Sequence, residues 1–305
     1  MQIAGMHLIE GAVDCHVHAC PHINGRTATV FDVTRQAAAA GMKGIGLIDN
    51  FGNSSGLAAL AMIELGELGV DVFGGPVLEP CAGGVAADVV RIALDYGYGP
   101  GTGARFVSLP THHARNVAKL ERRGKAYLEA CLHVPPDKPL QDPLPEIFDL
   151  IAARDVVLNT GHVSGPEAVK LAHEAKQRGV KRVIVPSGYY TPGEIKEIVA
   201  TGAYAEFSFF ILSHAAEIGL TSIDAEPHNP PRESIGATVE RIRAATAERA
   251  ILSGDSGSYV LPPPVEVLRE LIVMMQSGGI TDDEVRLMVQ CNPARLFKVG
   301  ESRQG

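Results

Sequence analysis

Tryptophan is missing from the 305 residues, and aromatic side chains make up only 5% of them, so an aromatic-lined binding platform is not expected. A basic stripe is missing too. Lys and Arg number 27 against 35 Asp and Glu, a formal charge of -8, which argues against a nucleic-acid partner because phosphate binding needs clustered cations. The densest basic runs, Arg122-Arg123-Gly124-Lys125 and Lys176-Gln177-Arg178, read as solvated helix ends beside the C-terminal dipole. No apolar run is long enough to predict a membrane span. Met1 to Glu10 lacks the charged segment and long apolar core of a signal peptide. The five cysteines are scattered with no Cys-x-x-Cys pair, which fits reduced thiols in a cytoplasmic protein. No Gly-x-Gly-x-x-Gly follows the first strand and no Gly-x-x-x-x-Gly-Lys-Ser/Thr loop exists, which counts against doubly wound nucleotide-binding folds.

What is present is alternation. Short β-branched runs at 12–18, 44–49, 71–78, 105–109, 156–159, 182–185, 204–209 and 250–252 predict strands, and helical patterns at 30–40, 57–68, 86–94, 166–178 and 235–247 separate them. Ser164-Gly-Pro-Glu167, Thr191-Pro-Gly-Glu194 and Thr281-Asp-Asp-Glu284 fit capping boxes. Strand-helix alternation of this kind implies right-handed crossovers and a parallel sheet, and the length suits one α/β barrel of ~250 residues with additions. The expectation is a single domain over 1–305, a distorted (β/α)8 barrel with excursions after the fourth and seventh strands. The first excursion, 124–145, carries a strand or hairpin pattern at Tyr127–Val134 and then five prolines; it reads as a cover near the barrel mouth, with a surface loop near the barrel bottom as the alternative. The second, His214 to Arg232, contains Pro227-His-Asn-Pro-Pro231 and is expected to border a site.

Asp14-Cys15-His16-Val17-His18 is the most informative stretch. Period-two alternation predicts Asp14, His16 and His18 on the lumen face, with Val13, Cys15 and Val17 facing the helices. Two adjacent imidazoles in a buried space are either hydrogen-bonded core histidines or partners in holding a metal cation. The fifth strand ends Asn159-Thr-Gly-His162 and the eighth ends Ser253-Gly-Asp255-Ser-Gly257, so His16, His18, His162 and Asp255 are expected to converge on one mouth. That donor set suits Zn, with Fe or Mn as alternatives, and Asp255 would serve as both ligand and general base.

Asp14-x-His-x-His18, Thr160-Gly-His162, Gly254-Asp255 and Asn292-Pro-Ala-Arg-Leu-Phe297, in that order along nearly the whole chain, resemble the amidohydrolase superfamily of TIM-barrel metal-dependent hydrolases. Within it the chain most resembles an amidohydrolase-like subgroup of unknown function. The resemblance implies metal ligation by His16, His18 and His162, and a ligand and base role for Asp255. It also implies that the Asn292–Phe297 motif forms the terminal helix that closes the barrel. The chain departs from the pattern at Val185-Pro-Ser187, where a sixth-strand histidine is usual, and at Ile48-Asp-Asn50, where a Lys and a His are usual. Glu79 and His112, and after them Asp49, are the candidate replacement ligands for one or two ions. Arg26, His113 and Tyr189 are candidate substrate contacts, Arg26 through a bidentate clamp on a carboxylate or phosphate. Cys20 is a candidate soft ligand, whereas Cys15 is expected to face the helices. The expected function is hydrolysis, by metal-activated water, of an amide, cyclic amide, lactone or other ester-like bond in a small molecule. Alternatives are a phosphoesterase or decarboxylase on the same barrel, or a ligand-binding barrel that has lost part of its metal site. A homo-oligomer is the prior expectation for assembly.

Overall fold

The computed structural model describes residues 3–99, 102–218, 220–221 and 227–301. Eight short parallel strands form where the apolar runs stand: β1 (Val13–Val17), β2 (Gly44–Leu47), β3 (Asp71–Gly74), β4 (Phe106–Ser108), β5 (Val157–Asn159), β6 (Val183–Pro186), β7 (Tyr204–Ser208) and β8 (Ala250–Ser253). β1 to β3 pair in order, as do β4 to β8. Two bridges close the ring. Val17 pairs in parallel with Ser256 just beyond β8, and Val77 just beyond β3 pairs in parallel with Ser108 of β4. The backbone bonds there, His18 N–H to Ser256 O and Leu78 N–H to Ser108 O, are both 2.9 Å. The fold is therefore a closed α/β barrel.

Both faces of the strands are buried, which is why the runs read as almost continuously apolar. Val17, Val72, Val107, Leu158, Val185 and Leu252 pack outward against the helices. Val13, Cys15, Phe73, Phe106, Val157, Ile184 and Ile251 fill the lumen. At the end where the strands start, the helix Asn292–Phe297 stoppers that lumen with Leu296 and Phe297, and Phe297 stacks on Phe73 at 4.7 Å. Asn292 fixes the stopper by donating twice, to Ala247 O and Ala250 O at 2.8 Å.

The alternation expected along β1 does not hold. Asp14 stands opposite Ile45 and Val17 opposite Leu47, so β1 spends three steps where β2 spends two. This is a β-bulge, and it reverses which residues face inward. Cys15 therefore packs in the lumen, and Asp14 turns outward into a small space lined by Val33, Ala37 and Pro264. His16 and His18 still point to the mouth, because the reversal falls between Asp14 and His16.

All three expected capping boxes form, at Ser164, Thr191 and Thr281. The first excursion carries a helix, Lys125–Ala130, in place of the expected strand or hairpin. Its Lys-Ala-Tyr-Leu-Glu-Ala sequence is rich in good helix formers. It lies on the mouth side: Leu132 bridges Ala114, and Glu167 accepts from Val134 N–H and His133 Nδ1, both at 2.7 Å. Arg123 is not the solvated residue expected, since it is buried, bonds Glu121 at 3.0 Å and covers the Tyr127 ring. After β7 come a 3-10 turn (Phe210–Leu212), a short helix (Ala215–Ile218) and a two-stranded ribbon pairing Leu220–Thr221 with Pro227–His228. Residues 219 and 222–226 of this second excursion lie outside the described residues. No helix among the described residues is long and apolar enough to cross a membrane.

Candidate metal centre at the barrel mouth

The end of β1 and the loop after β8 bring His16, His18 and Asp255 together, with one donor atom of each within 4.8 Å of the others. Nε2 of His16 and Nε2 of His18 both stand 3.3 Å from Asp255 Oδ1. Ligands 2.0–2.1 Å from a tetrahedral zinc are separated by about 3.3 Å, so each histidine nitrogen stands at that spacing from the carboxylate oxygen. Asp255 sits in the left-handed region at φ 45°, between Gly254 and Gly257. Gly257 is required there: at φ 101° an added Cβ would fall 1.8 Å from His18 O.

The supporting contacts fix each donor. His16 donates from Nδ1 to Glu206 Oε1 at 2.9 Å, which leaves Nε2 free to face Asp255. Ser253 Oγ donates to the same Glu206 oxygen at 2.7 Å, and Ser208 Oγ donates to Asp255 Oδ2 at 3.3 Å. Asp14, although outside the lumen, accepts at Oδ1 from His16 N–H at 3.1 Å and Gly254 N–H at 2.9 Å. It thus ties the bulge of β1 to the loop carrying Asp255. Burial pushes Asp14 up to about 7 and His18 down to about 4. Burial alone would lower His16, but the Asp255 and Glu206 carboxylates outweigh it and raise the group to about 9. The opposite balance acts on Asp255, where His16, His18 and His162 overcome burial and hold the carboxyl well below the usual range.

The other residues singled out from sequence are divided. His162 lines the same cavity but stands outside the tightly spaced trio. Glu79 is not brought to the mouth: Oε1 accepts from Thr111 N–H and His112 N–H at 2.6 Å, and Oε2 from His113 N–H and Nδ1. Its carboxylate replaces solvent for a turn of backbone donors and is spent there. His112 lines the cavity, but its Nε2 accepts from Asn50 Nδ2 at 3.1 Å. His113 is turned away onto Glu79 and the Tyr127 ring. Asp49 caps Phe51 N–H at 2.9 Å, and neither it nor Cys20 joins the trio. Ser187, in place of the sixth-strand histidine, bonds back to Val185 O. Tyr189 lines the cavity with its ring while its hydroxyl donates to Pro231 O at 2.6 Å. Arg26 also lines it. Its guanidinium donates to His22 at 2.9 Å, its Nε is buried without a partner, and it forms no ion pair among the described residues.

The cavity has two lobes. One, about 660 Å³ including the space open to solvent, is walled by apolar side chains such as Val117, Leu120, Phe210 and Ile211. The other, about 580 Å³, is walled by Asn24, Arg26, Asn50 and Ser258. His16, His162, His228 and Asp255 line both. Glu206 and His228 were missed from sequence. Their signals were a lone charge inside the apolar run of β7, and a histidine framed by prolines in the second excursion.

No curated protein matches the sequence. Solved structures share its fold. The probable dipeptidase PvdM from Pseudomonas aeruginosa is similar with a TM-score of 0.60 at 10% identity, covering 97% of each chain. A triple mutant of the organophosphorus hydrolase from Deinococcus radiodurans gives 0.56 at 16% identity, covering 97% of this chain and 95% of that one. An amidohydrolase from Pseudomonas aeruginosa gives 0.52 at 11% identity, covering 97% and 99%. At such identities the likeness fixes the fold alone, an α/β barrel. Residues 11–206, from the segment entering β1 through most of β7, match the profile of a family of unknown function, DUF6282, and the chain belongs to that family.

Proposed function

We propose that this protein is a metal-dependent hydrolase that directs activated water at an amide, cyclic amide, lactone or other ester-like bond of a small molecule. The observation that carries the reading is the trio of buried His16 and His18 and half-buried Asp255, each histidine nitrogen at ligand spacing from the carboxylate, on the C-terminal face of the barrel. The Glu206 bond to the far nitrogen of His16 supports it, because ligand histidines commonly give their other N–H to a carboxylate. His162 would be the fourth protein donor, and the N/O set suits Zn first, with Fe or Mn next. A single ion is the reading, since Glu79 has both oxygens engaged and offers no bridge. That also removes the ground for favouring phosphoester chemistry.

A divalent cation at this place would acidify a water molecule and polarise the substrate's carbonyl oxygen. The chain's own residues do the rest. Asp255 takes the proton of the attacking water at a carboxylate oxygen, and Ser208 and the two histidines hold that carboxylate in place. Arg26, a cation with no carboxylate of its own, orients an anionic or carbonyl oxygen of the substrate from the polar lobe. The Tyr189 ring packs against the substrate's apolar part. Free cysteines fit the cytoplasmic placement, and a homo-oligomer belongs to the same reading, testable by light scattering.

Metal analysis of protein purified without chelator tests the proposal. About one equivalent of transition metal is expected, lost in a His16→Ala, His18→Ala double variant whose circular dichroism is unchanged. Less than about half an equivalent, unimproved by reconstitution, would favour a ligand-binding barrel without hydrolytic chemistry.

A further inference from the structure

His228 reaches the mouth from the second excursion and lines both lobes of the cavity alongside Asp255. Its Nδ1 donates to Oε1 of Glu121, a buried carboxylate from the segment after β4, and Glu121 Oε2 accepts from Arg123 Nε at 3.0 Å. The second excursion thus supplies the histidine, and the segment after β4 the carboxylate that orients it. The bond to Glu121 keeps the Nδ1 proton in place, so Nε2 is the nitrogen left to exchange one. No described residue bonds Nε2, and the ring edge packs against His112 at 4.4 Å. A histidine serving only to join two loops would have no need to leave that nitrogen open to a cavity.

The other cavity-lining groups are less suited to giving up a proton. His112 Nε2 is occupied by Asn50, the Tyr189 hydroxyl is committed to Pro231 O, and Arg26 keeps its proton at neutral pH. Asp255 faces the two metal-site histidines with one oxygen and Ser208 with the other. We propose that His228 is the catalytic acid that protonates the leaving group, with Glu121 as its positioning residue.

This inference rests on the hydrolase reading. The step balances as ordinary hydrolysis. Water gives one proton to Asp255 and its oxygen forms the new bond to the carbonyl carbon. The bond to the leaving atom breaks with its electron pair on that atom, which takes the Nε2 proton of the doubly protonated His228 ring and leaves the neutral Nδ1–H imidazole on Glu121. The proton held by Asp255 then returns to the imidazole through cavity water, so nothing is oxidised or reduced. Glu121 supports the charged imidazolium: burial alone would raise its carboxyl, but His228 and Arg123 hold it below its ordinary value.

Two measurements on the metal-loaded full chain test the assignment. Long-range proton–nitrogen spectra of histidine-labelled protein, followed from acid to alkaline pH, should show His228, identified by its loss in His228→Asn, as a doubly protonated ring that gives up its Nε2 proton and keeps Nδ1–H as the pH rises, and Glu121→Gln should mix the neutral tautomers. Turnover of phenyl acetate and 4-nitrophenyl acetate provides the second readout, since only the poorer phenolate leaving group needs an acid. The phenyl to 4-nitrophenyl ratio should fall about 100-fold in His228→Asn, at the lower end of the range typical of general acid catalysis. A smaller fall is expected in Glu121→Gln, which keeps the ring and carries the test where His228→Asn disturbs the fold. A neutral ring that keeps Nε2–H and leaves Nδ1 bare in the wild type, or an unchanged ratio in an active variant, overturns the role of His228 alone. No turnover of either ester by the metal-loaded wild type overturns the ester-hydrolase reading and the donor role together.

Discussion

At the scale of single residues, the site is made by atoms whose second contacts leave them only one free direction. His16 is the clearest case. Glu206 takes its Nδ1, Asp14 takes its backbone N–H, and Nε2 is left aimed at Asp255. Glu206 is therefore expected to act through His16 without touching substrate. Glu206→Gln keeps the shape but removes the carboxylate that holds the Nδ1 proton, and we expect metal affinity to fall about 10- to 100-fold with the fold intact. Competitive titration against a chromogenic chelator measures this, and an unchanged affinity would show that the Glu206 contact is merely packing. The pair His16 and His18 was legible because two histidines in a short strand are conspicuous. Glu206 was not, because a lone Glu in a strand says nothing of its neighbour until β1 and β7 face each other across the lumen.

At the scale of elements, the loops after the strands are held by buried carboxylates rather than by length or sequence of their own. Glu79, ending the third strand segment, gathers the N–H groups of Thr111, His112 and His113 after β4. Sequence reasoning made it a candidate ligand, since a carboxylate at a strand end has the same appearance in either role. Burial alone would raise its carboxyl, but the His113 and backbone bonds hold it well below its ordinary value of 4.5. The sign follows from linkage. A depressed folded-state value contributes stability that is full above 4.5 and drains as the pH falls below it. Glu79→Gln should cost about 2–4 kcal/mol at neutral pH, because an amide nitrogen must face backbone donors. Thermal melts from neutral to acid pH should show the gap between wild type and variant narrowing on the acid side, and a gap independent of pH would contradict the assignment. The helix at Lys125–Ala130 teaches the same lesson for excursions: proline spacing marks where regular structure stops, not what precedes it.

At the scale of the whole molecule, the barrel separates a stabilising end from a chemical end. The Asn292–Phe297 helix closes the bottom, and the candidate centre occupies the mouth. Phe297→Ala, which empties a stacked position in the lumen, should cost about 3–5 kcal/mol in denaturant unfolding. Bound metal should nevertheless be retained in full, and loss of metal from the folded variant would mean that the two ends are coupled. The strand-helix alternation, the capping boxes and the strand-end placement of His16, His18, His162 and Asp255 were determined by the sequence by itself, because periodicity and cap chemistry are local. Only the tertiary structure decided three further matters: that a bulge turns Asp14 outward and Cys15 inward, that Glu79 and His113 serve each other instead of the mouth, and that Glu121 and His228 meet over it. Each depends on which strand or loop lies opposite, and a register shift of one residue or a contact across more than a hundred leaves no periodic trace along the chain.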